Sequence, residues 1–233
     1  MTDTGRSFRC GATGIHFRLD SEAIADMVCC SRTADRRMFP DRLCLPLVFD
    51  PLRLRTDLQA LAGRDWIEHF VKQNYDGDWA VLPLRGPAGA RHPVMMIYPD
   101  PGADTFEDTP MLRDAPYLRA VLAAFDCPLQ CVRLMRLTPG SIIKTHRDHD
   151  LSFEDRTVRI HIPITTNPDV EFLLNGTRVD MAPGSAWYLR LSDPHSVANR
   201  GAADRVHLVI DAEANAWLGD MLRCADAAST ASA

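Results

Sequence analysis

From Leu129 onward, apolar and polar positions alternate in short runs separated by turn residues: 129–137, 141–146, 157–164, 169–174, 177–182, 185–190, 195–199 and 204–211. A period of two buries one face of a strand and exposes the other. Asn175-Gly176 sits between two of these runs. Both residues tolerate positive φ, so the pair predicts a tight hairpin. Strands this short and this evenly spaced predict a sandwich or a jelly-roll barrel.

Upstream the pattern is mixed. Ile24, Met27 and Val28 behind Ser21 predict one helix, and Asp50-Pro51 opens another with Leu54, Leu58 and Leu61 on its apolar stripe. Trp66, Phe70 and Val71 are expected to extend that packing, and Leu118, Val121, Leu122 and Phe125 predict a helix over 115–125. Strands are predicted at 14–19, 79–84 and 94–98, a turn at 74–78, and loops at 85–93 and 99–111. A closing helix is predicted over 213–222. The expected organisation is one structural domain: N-terminal helices and strands (1–128) packing on the core, a jelly-roll catalytic core (129–224), and a flexible tail (225–233).

Composition narrows the classes. The 233 residues are 46% hydrophobic, enough for a sizeable core. The net charge of −5 lacks the basic footprint of a nucleic-acid binder, so no nucleic-acid partner is expected. The 7 cysteines are odd in number and irregular in spacing, which argues against a disulfide framework. Cys127 and Cys131 have no second cysteine pair to complete a zinc site and read as core thiols. No run reaches the roughly 18 apolar residues of a membrane span, and the start lacks a signal-peptide pattern. The expected setting is the cytoplasm, with no membrane partner. The pattern sets no oligomeric state.

The chemistry concentrates near the first turn of the barrel. His146 and Asp148 are two positions apart, so an extended backbone aims imidazole and carboxylate to the same side. With His195 they form a candidate 2-His-1-carboxylate set, which leaves positions on a ferrous ion open to substrate and oxygen. His149 is the competing register; it has no carboxylate two residues on. Two strands carry an Arg-x-His pair on one face and aliphatic residues on the other: Arg159 and His161, then Arg205 and His207. Such faces either meet water or line a polar barrel interior. In the second case they make a site for a dianionic acid, because a guanidinium matches a carboxylate bidentately.

The run from Trp66 to Asp211 resembles the aspartyl/asparaginyl β-hydroxylase family of Fe(II)/2-oxoglutarate dioxygenases. The resemblance rests on Tyr75-x-Gly77-x-Trp79, Arg133-x-x-Arg136-Leu137-x-Pro139-Gly140, His146-x-Asp148, Arg159-x-His161-x-Pro163-x-x-Thr166-Asn167, Gly184-x-x-Trp187, His195-x-Val197-x-Asn199 and Arg205-x-His207-Leu208-Val209-x-Asp211. The Asp148 position sides with the proline-hydroxylase-like members, since the namesake enzymes lack that carboxylate. The resemblance implies a double-stranded β-helix core and a requirement for Fe(II), 2-oxoglutarate and O2. It implies that His146, Asp148 and His195 bind iron, that Arg205 pairs with the distal carboxylate of 2-oxoglutarate, and that Arg159 and His161 lie near its iron-bound end. Trp187, His207, Arg136 and His149 are further candidates for the pocket or for supporting the ligands. The implied reaction hydroxylates an unactivated C–H bond while 2-oxoglutarate is decarboxylated to succinate and CO2.

The expected substrate is an amino acid or related metabolite, free or bound to a carrier protein or peptide. Its selectivity is expected from the mixed-charge loops at 85–93, 99–114 and 148–156. The competing class is a non-oxidative cupin-like metal protein that binds a small organic acid, as a sensor or an isomerase. A degenerate member acting as an interaction module is disfavoured by the complete ligand set. Arg205, ten residues past His195, separates the first two, because a non-oxidative site needs no second dicarboxylate.

Overall fold

The computed structural model describes residues 8–9, 15–17, 38–97 and 102–231. Two short strands, β1 (Phe8–Arg9) and β2 (Ile15–Phe17), precede β3 (Arg42–Phe49). Asp50 caps α1 (Pro51–Ala60): its Oδ1 accepts from the Leu52 and Arg53 amides at 2.8 and 3.3 Å. Pro51 stands where a missing N–H costs nothing. Next come β4 (Ile67–Glu68), β5 (Tyr75–Asp76), β6 (Trp79–Pro87), α2 (Pro93–Ile97), β7 (Phe106–Asp108) and α3 (Pro116–Leu122). The barrel strands are β8 (Leu129–Leu137), β9 (Ile142–His146), β10 (Thr157–Thr165), β11 (Val170–Leu174), β12 (Thr177–Arg178), β13 (Ser185–Leu189), β14 (His195–Asn199) and β15 (Arg205–Glu213), before α4 (Ala216–Ala231).

Two sheets form. The larger runs β1-β2-β3-β13-β10-β15-β8-β6-β4 with β7 on β6, and the smaller runs β12-β11-β14-β9-β5. From β8 to β11 each successive strand changes sheet, and β13, β14 and β15 do the same. This is the winding of a double-stranded β-helix, as expected. The Asn175-Gly176 hairpin joins β11 to β12 with φ of 51° and 72°.

The faces of the long strands divide as their alternation predicts. Val158, Ile160, Ile162, Val206, Leu208 and Ile210 pack with Leu54, Leu118 and Leu218 of the helices. Each such fully buried aliphatic contributes roughly 1.5–3 kcal/mol. The opposite faces turn inward, where Arg159, His161, Arg205, His207 and Asp211 are all buried. A second apolar cluster, including Val81, Met135, Ile143, Phe172 and Val197, fills the space between the sheets.

Several elements differ from expectation. Residues 94–98 read as a strand, but Pro93–Ile97 is helical, with Pro93 in the first turn and His92 Nδ1 accepting the Val94 amide at 3.3 Å. β3 was not foreseen, because Pro46 interrupts its pattern. A register shift opposite Ser185 and Ala186 accommodates the proline. β6 runs on to Pro87, and β7 lies within the 99–111 loop. The strand expected over 177–182 is Thr177–Arg178 alone, and Tyr75–Asp76 pairs with β9 inside the expected turn. Trp66 packs on the core, whereas Phe70 is exposed. α4 begins at Ala216 and continues to Ala231, because the alanine-rich segment expected to fray has strong helix propensity and Ala225 is buried. The helix predicted behind Ser21 lies outside the described residues.

Candidate active site

β9 ends on His146 and β14 begins on His195, and the two are direct cross-strand partners. Their rings lie 4.2 Å apart between centroids. His146 Nδ1 is 2.8 Å from the Lys144 carbonyl and His195 Nδ1 is 3.0 Å from the Asp193 carbonyl. A carbonyl only accepts, so each Nδ1 carries the proton and each Nε2 keeps its lone pair. Burial pushes His195 down to about 4, which keeps it neutral and able to ligate at pH 7. Asp148 Oδ1 is 3.7 Å from His146 Nε2, and one ligand atom from each of His146, Asp148 and His195 lies within 4.8 Å of the others. Two imidazoles and a carboxylate converging at this separation fit a divalent metal.

Asp148 is held from behind. Arg159 Nη1 donates to its Oδ2 at 2.6 Å, while Arg159 Nε and Nη2 donate to Asp211 Oδ1 and Oδ2 at 2.6 and 2.9 Å. Asp211 also pairs with Arg133, whose Nη1 donates to the Ile97 carbonyl at 2.8 Å. Burial raises the Asp211 carboxyl, but Arg133 and Arg159 outweigh it and hold the group below its ordinary range. Arg159 behaves as the mirror image: burial opposes its charge, and Asp211 and Asp148 sustain it.

The cluster opens on a cavity of about 590 Å³ whose lining includes Arg205, His161, Phe172, Trp79, His69 and Phe106. Arg205 is 2% exposed and has no carboxylate partner among the described residues. Its Nη2 lies 3.0 Å from His207 Nδ1, its guanidinium carbon 5.9 Å from the centre of the Phe172 ring, and its Nε has no partner. Burial therefore pulls its guanidinium down to about 9. Both ring nitrogens of His161 are also buried without partners, and burial together with Arg205 and Arg159 keeps that imidazole neutral. A buried cation and buried donors lacking acceptors fit an anionic ligand rich in oxygen.

The candidate residues therefore separate. His146, Asp148 and His195 converge, and Arg159, His161 and Arg205 line the same cavity. His149 is exposed at the cavity lining, outside the ligand cluster. His207 lies behind Arg205, beside a second cavity of about 440 Å³. Trp187 donates from Nε1 to Ser185 Oγ at 2.8 Å, Arg136 sits 4.8 Å over Trp66, and neither lines a cavity among those described. Asp211 pairs with arginines and not with His207. Sequence reasoning assigned His69 nothing. Its only local signal is the nearby Trp79, whose carbonyl accepts the His69 amide at 2.9 Å across the sheet edge.

Fold and site together define a double-stranded β-helix carrying a His-x-Asp…His cluster above an unpaired buried arginine. The family model for aspartyl/asparaginyl β-hydroxylase matches residues 51–215, and the chain belongs to that family. It is 28% identical over 180 residues to an L-proline cis-4-hydroxylase of Rhizobium meliloti (strain 1021), covering 75% of this chain and 61% of that protein. It is 28% identical over 166 residues to an L-proline cis-3-hydroxylase 2 of a Streptomyces species, covering 70% of this chain and 56% of that one. The chain thus spans less than two thirds of the length of either curated relative. A crystal structure of a 2OG-Fe(II) oxygenase family oxidoreductase from Burkholderia pseudomallei shares the fold, with a TM-score of 0.50, 17% identity, and coverage of 89% of this chain and 95% of that one. Among the described residues no helix is long and apolar enough to cross a membrane.

Proposed function

We propose that this chain is an Fe(II)- and 2-oxoglutarate-dependent dioxygenase that hydroxylates an unactivated C–H bond of a free amino acid, with decarboxylation of 2-oxoglutarate to succinate and CO2. The observation that carries the reading is Arg205, a buried guanidinium without an anion, in the cavity that His146, Asp148 and His195 open onto. A buried guanidinium of this kind matches the distal carboxylate of a dicarboxylic cosubstrate. Iron, when bound, supplies the reduction of O2 that decarboxylation of the 2-oxoacid makes possible. In this reading His146 and His195, each through the nitrogen left free of its backbone bond, and Asp148 would hold the metal. The Lys144 and Asp193 carbonyls fix the imidazole tautomers, and Arg159 orients Asp148 through its Oδ2. Arg205 receives the distal carboxylate of the cosubstrate, and His161 donates toward its near end. Phe172 and Val197 add apolar surface to the cavity lining. Holding both reactants in one cavity brings the target carbon to the metal.

A free amino acid is favoured because both curated relatives are named for hydroxylating L-proline. The test is succinate release by iron-loaded protein under oxygen, with L-proline and then each other proteinogenic amino acid. The reading expects turnover that one amino acid stimulates and that His146→Ala abolishes. Turnover stimulated only by a carrier-bound or peptidyl residue would move the substrate and keep the class; no consumption of 2-oxoglutarate under any condition would reject the class.

A further inference from the structure

His69 lies outside every motif of the site, yet it lines the cavity with the metal cluster. Its imidazole is stacked on the Trp79 indole with centroids 3.5 Å apart and planes 6° from parallel. Trp79 in turn lies 6.5 Å from the His146 ring. The stack is braced: the His69 amide donates to the Trp79 carbonyl, and Tyr75 packs edge-on to Trp79 at 5.6 Å while its hydroxyl donates to the His69 carbonyl at 3.1 Å. The Val71 amide points at His69 Nδ1 at 3.4 Å, a long bond that assigns Nδ1 as acceptor and puts the proton on Nε2. That Nε2 has no protein partner among the described residues. Burial and the nearby Arg133 and Arg159 push the ring down to about 3, so it is neutral through the physiological range.

The surrounding wall holds buried donors that lack acceptors. Trp79 Nε1, Arg133 Nε and the single N–H of the neutral His161 are buried without partners, while Asp148 and Asp211 are already engaged by arginines. The Nε2–H of this braced ring, on the lining of the cavity that His146, Asp148 and His195 share, therefore has no acceptor among the described residues.

We propose that His69 is a substrate-specificity residue, donating from Nε2–H to an oxygen acceptor of the amino-acid substrate, its carboxylate being the acceptor common to that class. The assignment rests on the amino-acid reading given above. A histidine that only packs against Trp79 is the competing explanation, and two variants separate them. His69→Phe keeps an aromatic ring on the indole and removes the donor. His69→Gln keeps an N–H donor and gives up the ring.

The experiment measures binding of each proteinogenic L-amino acid, by calorimetry, to protein loaded with redox-inert zinc(II) and 2-oxoglutarate, so that no turnover is required. The expected result is an amino acid that binds the wild-type protein, binds His69→Phe about tenfold more weakly, as loss of one hydrogen bond requires, and binds His69→Gln with most of its affinity. The affinity for 2-oxoglutarate stays the same in all three. Equal binding of that amino acid to wild type and His69→Phe overturns the assignment and leaves the proposed function standing. A parallel loss of 2-oxoglutarate affinity in His69→Phe assigns the residue to packing and also overturns it. If no amino acid binds while 2-oxoglutarate does, the amino-acid reading fails and this assignment falls with it.

Discussion

Arg205→Met separates what the site costs from what it does. Burial pulls the guanidinium from 12.5 to about 9, and each tenfold in acidity corresponds to 1.36 kcal/mol. On the order of 4–5 kcal/mol of desolvation is therefore uncompensated in the absence of an anion. The sign is that of a base with a depressed folded value: at neutral pH the unfolded chain holds the proton more readily, so the charge destabilises the fold. Methionine fills similar space without charge but strands His207 Nδ1, which loses its 3.0 Å donor at a cost of about 1–3 kcal/mol. The net is a gain of about 2 kcal/mol, or ~4–8 °C in Tm for a chain of this size. The assay is thermal unfolding of the metal-free protein with and without 2-oxoglutarate. Arg205→Met is expected to melt higher than wild type. Millimolar 2-oxoglutarate raises the wild-type Tm and leaves that of the variant unchanged. A variant that melts lower, or that 2-oxoglutarate still stabilises, would refute the claim that Arg205 is an unpaired cation awaiting the cosubstrate.

Other outcomes follow from the same physics. Asp211→Asn leaves Arg133 and Arg159 buried without their shared anion, and denaturant unfolding is expected to show a loss of about 3–5 kcal/mol. Asp211 is held below its ordinary value, so its contribution is present above about pH 4 and is lost as the pH falls through its lowered folded value. The acid limb of the wild-type stability curve should therefore be flatter in Asp211→Asn. His69 and His195 are depressed to about 3 and about 4. The unfolded chain binds those protons first, so stability should fall as the pH drops from about 6.5 toward 4, and His69→Phe should remove part of that slope. Metal affinity, followed by zinc(II) titration, should fall at least tenfold in Arg159→Met, because Asp148 loses the donor at its Oδ2.

The barrel was readable because its strands alternate over one buried and one inward-facing side. The runs at 129–137 and 195–199 match β8 and β14 residue for residue. His146-x-Asp148 was readable for the same reason, since period two puts both groups on one side before any tertiary contact is known. The failures have physical causes as well. Pro46 hid β3 until a bulge opposite it was visible. Val94 to Tyr98 looked like a strand by composition, whereas Pro93 and His92 set up a helical turn. Arg133, Arg159 and Asp211 meet through the β8–β15 and β10–β15 pairings between strands far apart in the chain, which no local pattern encodes, and His69 stands just past the two-residue β4, whose edge pairing with β6 brings it beside Trp79. Trp187 and Arg136 stand in matched motif positions, yet their side chains turn to Ser185 and Trp66.

The most direct test of the central claim is turnover of 2-oxoglutarate by iron-loaded protein under ¹⁸O₂, with the stimulating amino acid present. The account predicts one labelled oxygen in succinate and the other in the hydroxylated product, with neither formed by His146→Ala. Succinate that carries no label, or product that draws its oxygen from water, would contradict it.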